Sequence, residues 1–363
     1  MLEVSISKGC PDPEWDSFLE TMPDGCYQQS SLWAELKAAF GWKPVRLVVK
    51  ENGEIVGGAQ MLLRPLTVFG MVGYVSKGPV IACDDPKVQE FVLDQMDRVS
   101  RQEHILFLKV QPPYGADGVA QRLTERGALP SNIGVVSRAT ARVDIRPDPE
   151  DMLARMTRSR RKAIRRSERK GVTVRQGTEE DLPTFLRLLD THSDYRGYGT
   201  APDDYYHKLW SVFSRENRSC FLLVEYEHEI LAVDVAICFG DVIVGMWGVD
   251  SGRHMKLNAQ ALSSWKSMLW GKEKGCSWYD FGGICMSTAR AVMNGEEIPT
   301  TTHLERVAWT KMSYGSQAII RPGACDISYV WPRKLTCRMV PALMKARPLL
   351  RSLLGGSLYG EFE

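Results

Sequence analysis

Short runs rich in β-branched residues alternate with helical stretches along this chain, and that alternation confines it to folds that pack helices on sheets. The clearest pair is PVRLVVK and EIVGGAQMLLR, joined through Asn52-Gly53, the strongest short-range hairpin signal. Before it, SSLWAELKAAF (30–40) reads as a helix capped by Ser30 or Ser31, with Trp33, Leu36 and Phe40 on one face. Helices over 86–103 and 117–127 flank the buried strand ILFLKVQ. The run IRPDPED at 145–151 has two prolines and little to bury, which suits a domain edge. Beyond it the order repeats in outline: a helix over about 150–170, strand VTVRQ, and helices at 179–193 and 203–215. A three-strand meander, a helix over 257–274 and strand SWYDFG complete it. Two α/β halves with mixed sheets follow from this order.

Charge and cysteine content narrow the chemistry. The 46 basic and 44 acidic side chains nearly cancel, so only local clustering can indicate a polyanionic partner. Nine scattered cysteines show neither zinc-like spacing nor a disulfide framework, and the six histidines are not spaced as ligands; no metal site is expected. Phosphate-cradling glycine motifs and a G-x-S-x-G elbow are absent. The start, MLEVSISKGCPDPEWDSF, does not read as a signal peptide, and the apolar stretch Ile230–Val249 is interrupted by Asp234 and Asp241. A soluble, reduced, cytoplasmic protein is expected.

Two features stand out. RSRRKAIRRSERK, 158–170, holds eight basic residues and one acid in thirteen positions. It is either a solvated helix face or a surface that neutralises phosphates. Asp280-Phe281-Gly282-Gly283 closes a β run with paired glycines, suiting a tight turn or close backbone approach to a ligand. The end of the chain, PALMKARPLLRSLL, reads as a basic amphipathic helix able to pack on either half or to touch a membrane surface.

Four segments in order resemble one family. YQQSSLWAELK (27–37) with Gly41-Trp42, the basic run from Arg160 into Gly171-Val172, WYDFGGI (278–284) and WTKMSYG (309–315) are similar to motifs of the Fem (FemABX) peptidyltransferases. That family moves amino acids from aminoacyl-tRNA onto peptidoglycan precursor peptides. The resemblance implies two tandem acetyltransferase-like (GNAT) domains, drawn here as 1–148 plus about 316–363 and as 149–315. It implies a peptide acceptor in a cleft, with the tRNA end approaching from the other side.

The resemblance also implies roles. Lys311 corresponds to a lysine near the tRNA acceptor end and the reacting ester, and is the catalytic candidate. Lys37 and Arg196 would contact the phosphate or sugar-peptide part of the acceptor. Trp33, Tyr198, Tyr205 and Trp247 would line the substrate side, together with Asp280, Gly282 and Gly283. Arg160, Arg161, Arg165, Thr310 and Lys311 would meet tRNA. Thr310 and Trp247 depart from the family's phenylalanine and tyrosine, and no helical-hairpin arm interrupts residues 150–310. Aminoacyl-tRNA is the implied co-substrate; no other cofactor is implied.

Attack of an amine on an already activated ester asks mainly for positioning and oxyanion stabilisation, which fits the missing metal and nucleophile motifs. An acyl-CoA-dependent N-acyltransferase of the same fold is the first alternative. Against it, Arg253-His254-Met255-Lys256-Leu257-Asn258 stands where such enzymes carry small residues before a helix. A non-catalytic RNA- or membrane-surface-binding protein is the second.

Overall fold

The computed structural model describes residues 1–24, 26–67, 70–131, 133–196, 199–333 and 335–337. The chain separates into two compact units, Met1–Arg138 with the returning chain from Arg321, and Ala139–Ile320.

The first unit opens with β1 (Leu2–Ser7) and α1 (Pro13–Glu20), where the Asp12 side chain accepts the Trp15 N–H. Ser30 caps α2 (Ser31–Ala38) in the same way through the Trp33 N–H, 3.1 Å away. β2 (Lys43–Glu51) and β3 (Glu54–Thr67) form the expected hairpin. Both of its turn residues have positive φ, 52° at Asn52 and 89° at Gly53, as a type I′ turn requires. Then come β4 (Gly70–Ser76), β5 (Val80–Ile81), α3 (Pro86–Gln102), β6 (Ile105–Gln111), α4 (Asp117–Glu125) and β7 (Leu129–Pro130).

The second unit starts at β8 (Ala139–Asp144), followed by α5 (Pro149–Arg155), α6 (Arg158–Arg169) and β9 (Thr173–Gln176). Next are α7 (Leu182–Arg196), α8 (Asp203–Arg215) and the meander β10 (Ser219–Tyr226), β11 (Glu229–Phe239), β12 (Val242–Asp250). It closes with α9 (Ala259–Glu273), β13 (Trp278–Ile284), α10 (Met286–Asn294), α11 (His303–Met312) and β14 (Gln317–Ile320). Strand β15 (Cys325–Ser328) belongs to the first unit again.

Each unit is built on one mixed sheet. The first has the order β1-β2-β3-β4-β6-β15-β7, with β5 on β3 and one parallel pair, β4 with β6. The second runs β14-β8-β13-β12-β11-β10-β9. Its one parallel pair, β12 with β13, joins only Val242–Val244 to Trp278–Asp280; beyond that the two strands part. Ile164 of α6, Trp265 and Met268 of α9 and Tyr279 of β13 are among the apolar side chains of the second unit's buried core.

Four expectations need correcting. The unit boundary lies at 138/139 and 320/321 rather than near 148 and 316, because β8 and β14 pair with each other from Ala139↔Ile320 to Arg142↔Gln317. The proline run at 145–151 is the turn from β8 into α5. The single helix read over 150–170 is two, broken where Met156 is extended and the Thr157 hydroxyl caps α6 through the Arg160 N–H. Helices α10 and α11 occupy a stretch in which no helix was expected. The basic amphipathic segment at 341–354 lies outside the described residues. Among the described residues no helix is long and apolar enough to cross a membrane.

One buried acid sets a pH dependence of the second unit. Asp234 of β11 is 3% exposed; Ser263 Oγ donates to it at 3.2 Å and Gln260 Nε2 lies at 3.5 Å. Burial raises its pKa from the ordinary 3.8 to about 7, against hydrogen bonds from α9 serines. An acid that holds its proton more tightly when folded costs the fold stability as pH climbs from about 4 to 7, and the full cost persists above that. Asp234→Asn should therefore stabilise the protein by roughly 1–3 kcal/mol at pH 8 and by much less at pH 4.5. Urea unfolding at both pH values checks this, and an advantage that does not grow with pH refutes it.

Candidate active site

The D-F-G-G run is a bulge inside a strand rather than its end. The Asp280 carboxylate is buried and held by two side chains of the neighbouring β8, the Thr140 hydroxyl and Arg142 Nε at 3.1 Å. Its Oδ1 also accepts the Gly282 N–H at 2.8 Å, curling the backbone over its own side chain. The pairing register of β13 on β8 slips between Asp280 and Gly283, and Gly282 takes φ +74°, a conformation that favours glycine. Past this bulge, the Gly283 carbonyl accepts the Lys311 ammonium at 2.7 Å.

Lys311 sits in the last turn of α11, where the helix dipole favours a cation. The helix is started by a reciprocal capping box between Thr302 and Glu305. The lysine side chain is half-buried. Loss of hydration lowers its pKa from 10.5 to about 8, with the negative charge of Asp280 pulling the other way. The arrangement is an ammonium oriented by a backbone carbonyl, with its protonation drawn toward neutral pH by burial.

The remaining residues separate into distinct settings. Trp247, on β12 past its pairing with β13, packs in an aromatic group with Tyr206 (5.2 Å between centroids) and Phe185 (6.3 Å). These rings line a small apolar cavity closed by Leu182, Leu209 and Val235. Tyr205 is buried beside Tyr206. In the first unit, Lys37 is not the exposed helix charge that its residue type would suggest. It is 2% exposed, with Nζ 4.9 Å from the Trp33 ring centroid, and burial lowers its pKa to about 8. Trp33 is itself buried edge-on against Tyr27, and its indole N–H has no hydrogen-bond partner among the described residues. Tyr198 and the Arg196 side chain lie outside what the structure describes.

Helix α6 sorts its arginines in a way that charge counting does not. Arg160 faces inward, with Nε donating to Ser313 Oγ at 2.9 Å and its guanidinium 4.4 Å from the Tyr314 ring. Arg161 donates to the carbonyls that end α5, Ala154 at 3.0 Å and Met156. Arg165 is exposed and pairs with Glu150 at 3.2 Å. The open stripe is instead Arg158, Lys162, Arg166 and Arg169, exposed and close to one line along the helix. Thr310 is exposed, with its hydroxyl returned to the Arg306 carbonyl.

Sequence reasoning missed several residues. Thr140 and Arg142, which hold Asp280, lie on a strand that was not recognised, although ATARVDI is β-like. It also missed a buried charge cluster in the first unit: Arg321 donates twice to Asp24, at 2.9 and 3.0 Å, and Lys77 lies beside both Asp24 and the Tyr27 ring.

Comparisons with known proteins bear on the family and the fold. The FemAB family model matches residues 10–126 and 131–228. A Staphylococcus haemolyticus (strain JCSC1435) protein named lipid II:glycine glycyltransferase is 26% identical over 234 residues. That match takes in 61% of this chain and 56% of the relative, so the chain spans little more than half the relative's length. The fold is similar to the crystal structure of FemX, with a TM-score of 0.81 at 17% identity over 93% of this chain and 99% of that one. It is also similar to a tandem GNAT protein from the clavulanic acid biosynthesis pathway, with a TM-score of 0.52 at 11% identity over 90% and 98%. Because the family model alone takes in more than half of the residues, the chain belongs to the FemAB family.

Proposed function

We propose that the chain is an aminoacyltransferase that joins an amino acid carried on tRNA to an amine of a peptide-bearing acceptor. The name of the staphylococcal relative suggests a lipid-linked peptidoglycan precursor as acceptor and glycine as the residue transferred. Charged tRNA is a cytoplasmic substrate, so the reaction is placed on the cytoplasmic side.

The observation that carries this reading is Lys311, a half-buried ammonium oriented by the Gly283 carbonyl at the D-F-G-G bulge. When an amine attacks an aminoacyl ester, negative charge collects on the ester's carbonyl oxygen. A preorganised cation is then worth more than in water, because it need not reorient. The exposed stripe on α6 supplies the phosphate contacts a tRNA needs. Acyl-CoA is disfavoured by the approach to α9. There, Ser167 of α6 donates to the carbonyls of Leu257 and Asn258, so α6 packs where a pyrophosphate cradle would have to open.

Incubation with mixed charged tRNAs and candidate peptide acceptors, read by mass shift, tests the reading; transfer that survives RNase, or that runs on acyl-CoA, overturns it. The stripe has its own test. Replacing Arg158, Lys162, Arg166 and Arg169 with alanine should weaken tRNA binding and reduce the slope of log affinity against log salt by about 3. Arg160→Ala should leave that slope unchanged. An unaltered slope in the fourfold variant makes the stripe an ordinary solvated face.

A further inference from the structure

We infer that the first unit docks on an anionic phospholipid bilayer through Trp331 and the residues around it. The inference goes beyond the proposed reaction and does not depend on it.

The chain leaves the sheet of the first unit after β15 and is pinned there. The Tyr329 hydroxyl donates to Asp97 at 2.7 Å, and the Arg101 guanidinium lies 5.7 Å from its ring. Immediately afterwards the apolar side chains turn outward: Val330 is 37% exposed, Trp331 85% and Leu335 52%. Trp331 presents nearly its whole indole to solvent, whereas Trp15, Trp33 and Trp42 of the same unit are buried. A tryptophan in that setting is costly in water and favourable at the bilayer interface, where the ring meets acyl chains and the N–H meets headgroups.

Charge names the surface. Arg333 is exposed within the patch, and the sequence from 333 to 351 carries six basic residues. No acid occurs between Asp326 and Glu361. Arg333 set among the exposed Val330, Trp331 and Leu335 matches an anionic interface, which offers both phosphates and hydrocarbon. An RNA partner would use the bases and leave Val330 and Leu335 without a role.

The test uses the full chain and Trp331→Ala, co-sedimented with vesicles of phosphatidylcholine containing about 30% phosphatidylglycerol and with pure phosphatidylcholine. Wild type should sediment with the anionic vesicles and not with the neutral ones, and the variant should partition about tenfold more weakly. Thermal melting should not distinguish the two, since the removed ring packs against little. Wild type that stays in the supernatant overturns the proposal, as does undiminished sedimentation of the variant. A wild-type dimer that Trp331→Ala converts to monomer overturns it in favour of a second copy. Trp331-dependent binding of tRNA without vesicle binding overturns it in favour of RNA. No aminoacyl transfer is read, so a failure of the proposed reaction does not alter these outcomes.

Discussion

Lys311→Met should lower turnover by roughly 10²–10³-fold, the usual loss when one preorganised donor to an oxyanion is removed. The variant should remain folded. The wild-type lysine bears the cost of a desolvated charge, visible in a pKa drawn down to about 8, and an apolar chain of similar length removes that cost. Ala308 and Met312, which seat α11 on the sheet, are untouched. The same pKa gives a pH signature: a group acting as ammonium is lost as pH rises through 8, so the wild-type rate should fall on the alkaline side although the acceptor amine becomes more nucleophilic. Steady-state rates from pH 6.5 to 9.5 for both proteins decide the matter. A variant retaining more than a tenth of the wild-type rate, or a wild-type profile still rising past pH 9, removes Lys311 from the chemistry.

The second large effect concerns the support beneath that lysine. Asp280→Ala takes the carboxylate from the buried Arg142 guanidinium, from Thr140 and from the Gly282 N–H in one step. Leaving a buried arginine without its carboxylate costs about 3–5 kcal/mol. Urea unfolding at pH 7 should show that loss, and Arg142→Ala should show one of similar size. The double variant should be far less destabilised than the sum, because each change removes the same interaction. Asp280→Asn, which keeps an acceptor for Thr140 and Gly282, should fall between. A loss below about 1 kcal/mol for Asp280→Ala shows that the ion pair does not hold the bulge.

What could be read from sequence follows the range of the interactions. Asn52-Gly53 and the cap of α2 are local devices, decided by residues a few positions apart; the hairpin was legible, and the cap was narrowed to Ser30 or Ser31, of which the structure uses Ser30. The Gly282 bulge was read only as the end of a strand, because its register is imposed by Thr140 and Arg142, about 140 residues earlier. Helix α6 was legible as a charged helix, but not which of its arginines face inward. Ile164 and Ser167 mark the buried face, and Arg160 lies between them on the helical wheel, a deduction the charge count obscured. The break at Thr157 was signalled only by a hydroxyl residue within a basic run. Helix α11 buries little beyond Ala308 and Met312, too few side chains to produce a periodic signal. Lys37, four residues after Trp33 on an amphipathic helix, has the residue type and spacing of an ordinary exposed charge, and its burial depends on the surrounding unit.

Strand β15 lies between β6 and β7, so the first sheet is completed by residues made nearly two hundred positions after β7. During synthesis the uninterrupted stretch 139–320 can assemble as soon as it emerges from the ribosome. The earlier-made portion waits with the edges of β6 and β7 open until 325–328 arrive. Truncation before residue 325 should therefore injure the beginning of the molecule rather than its end, leaving an aggregation-prone N-terminal half attached to an intact insert.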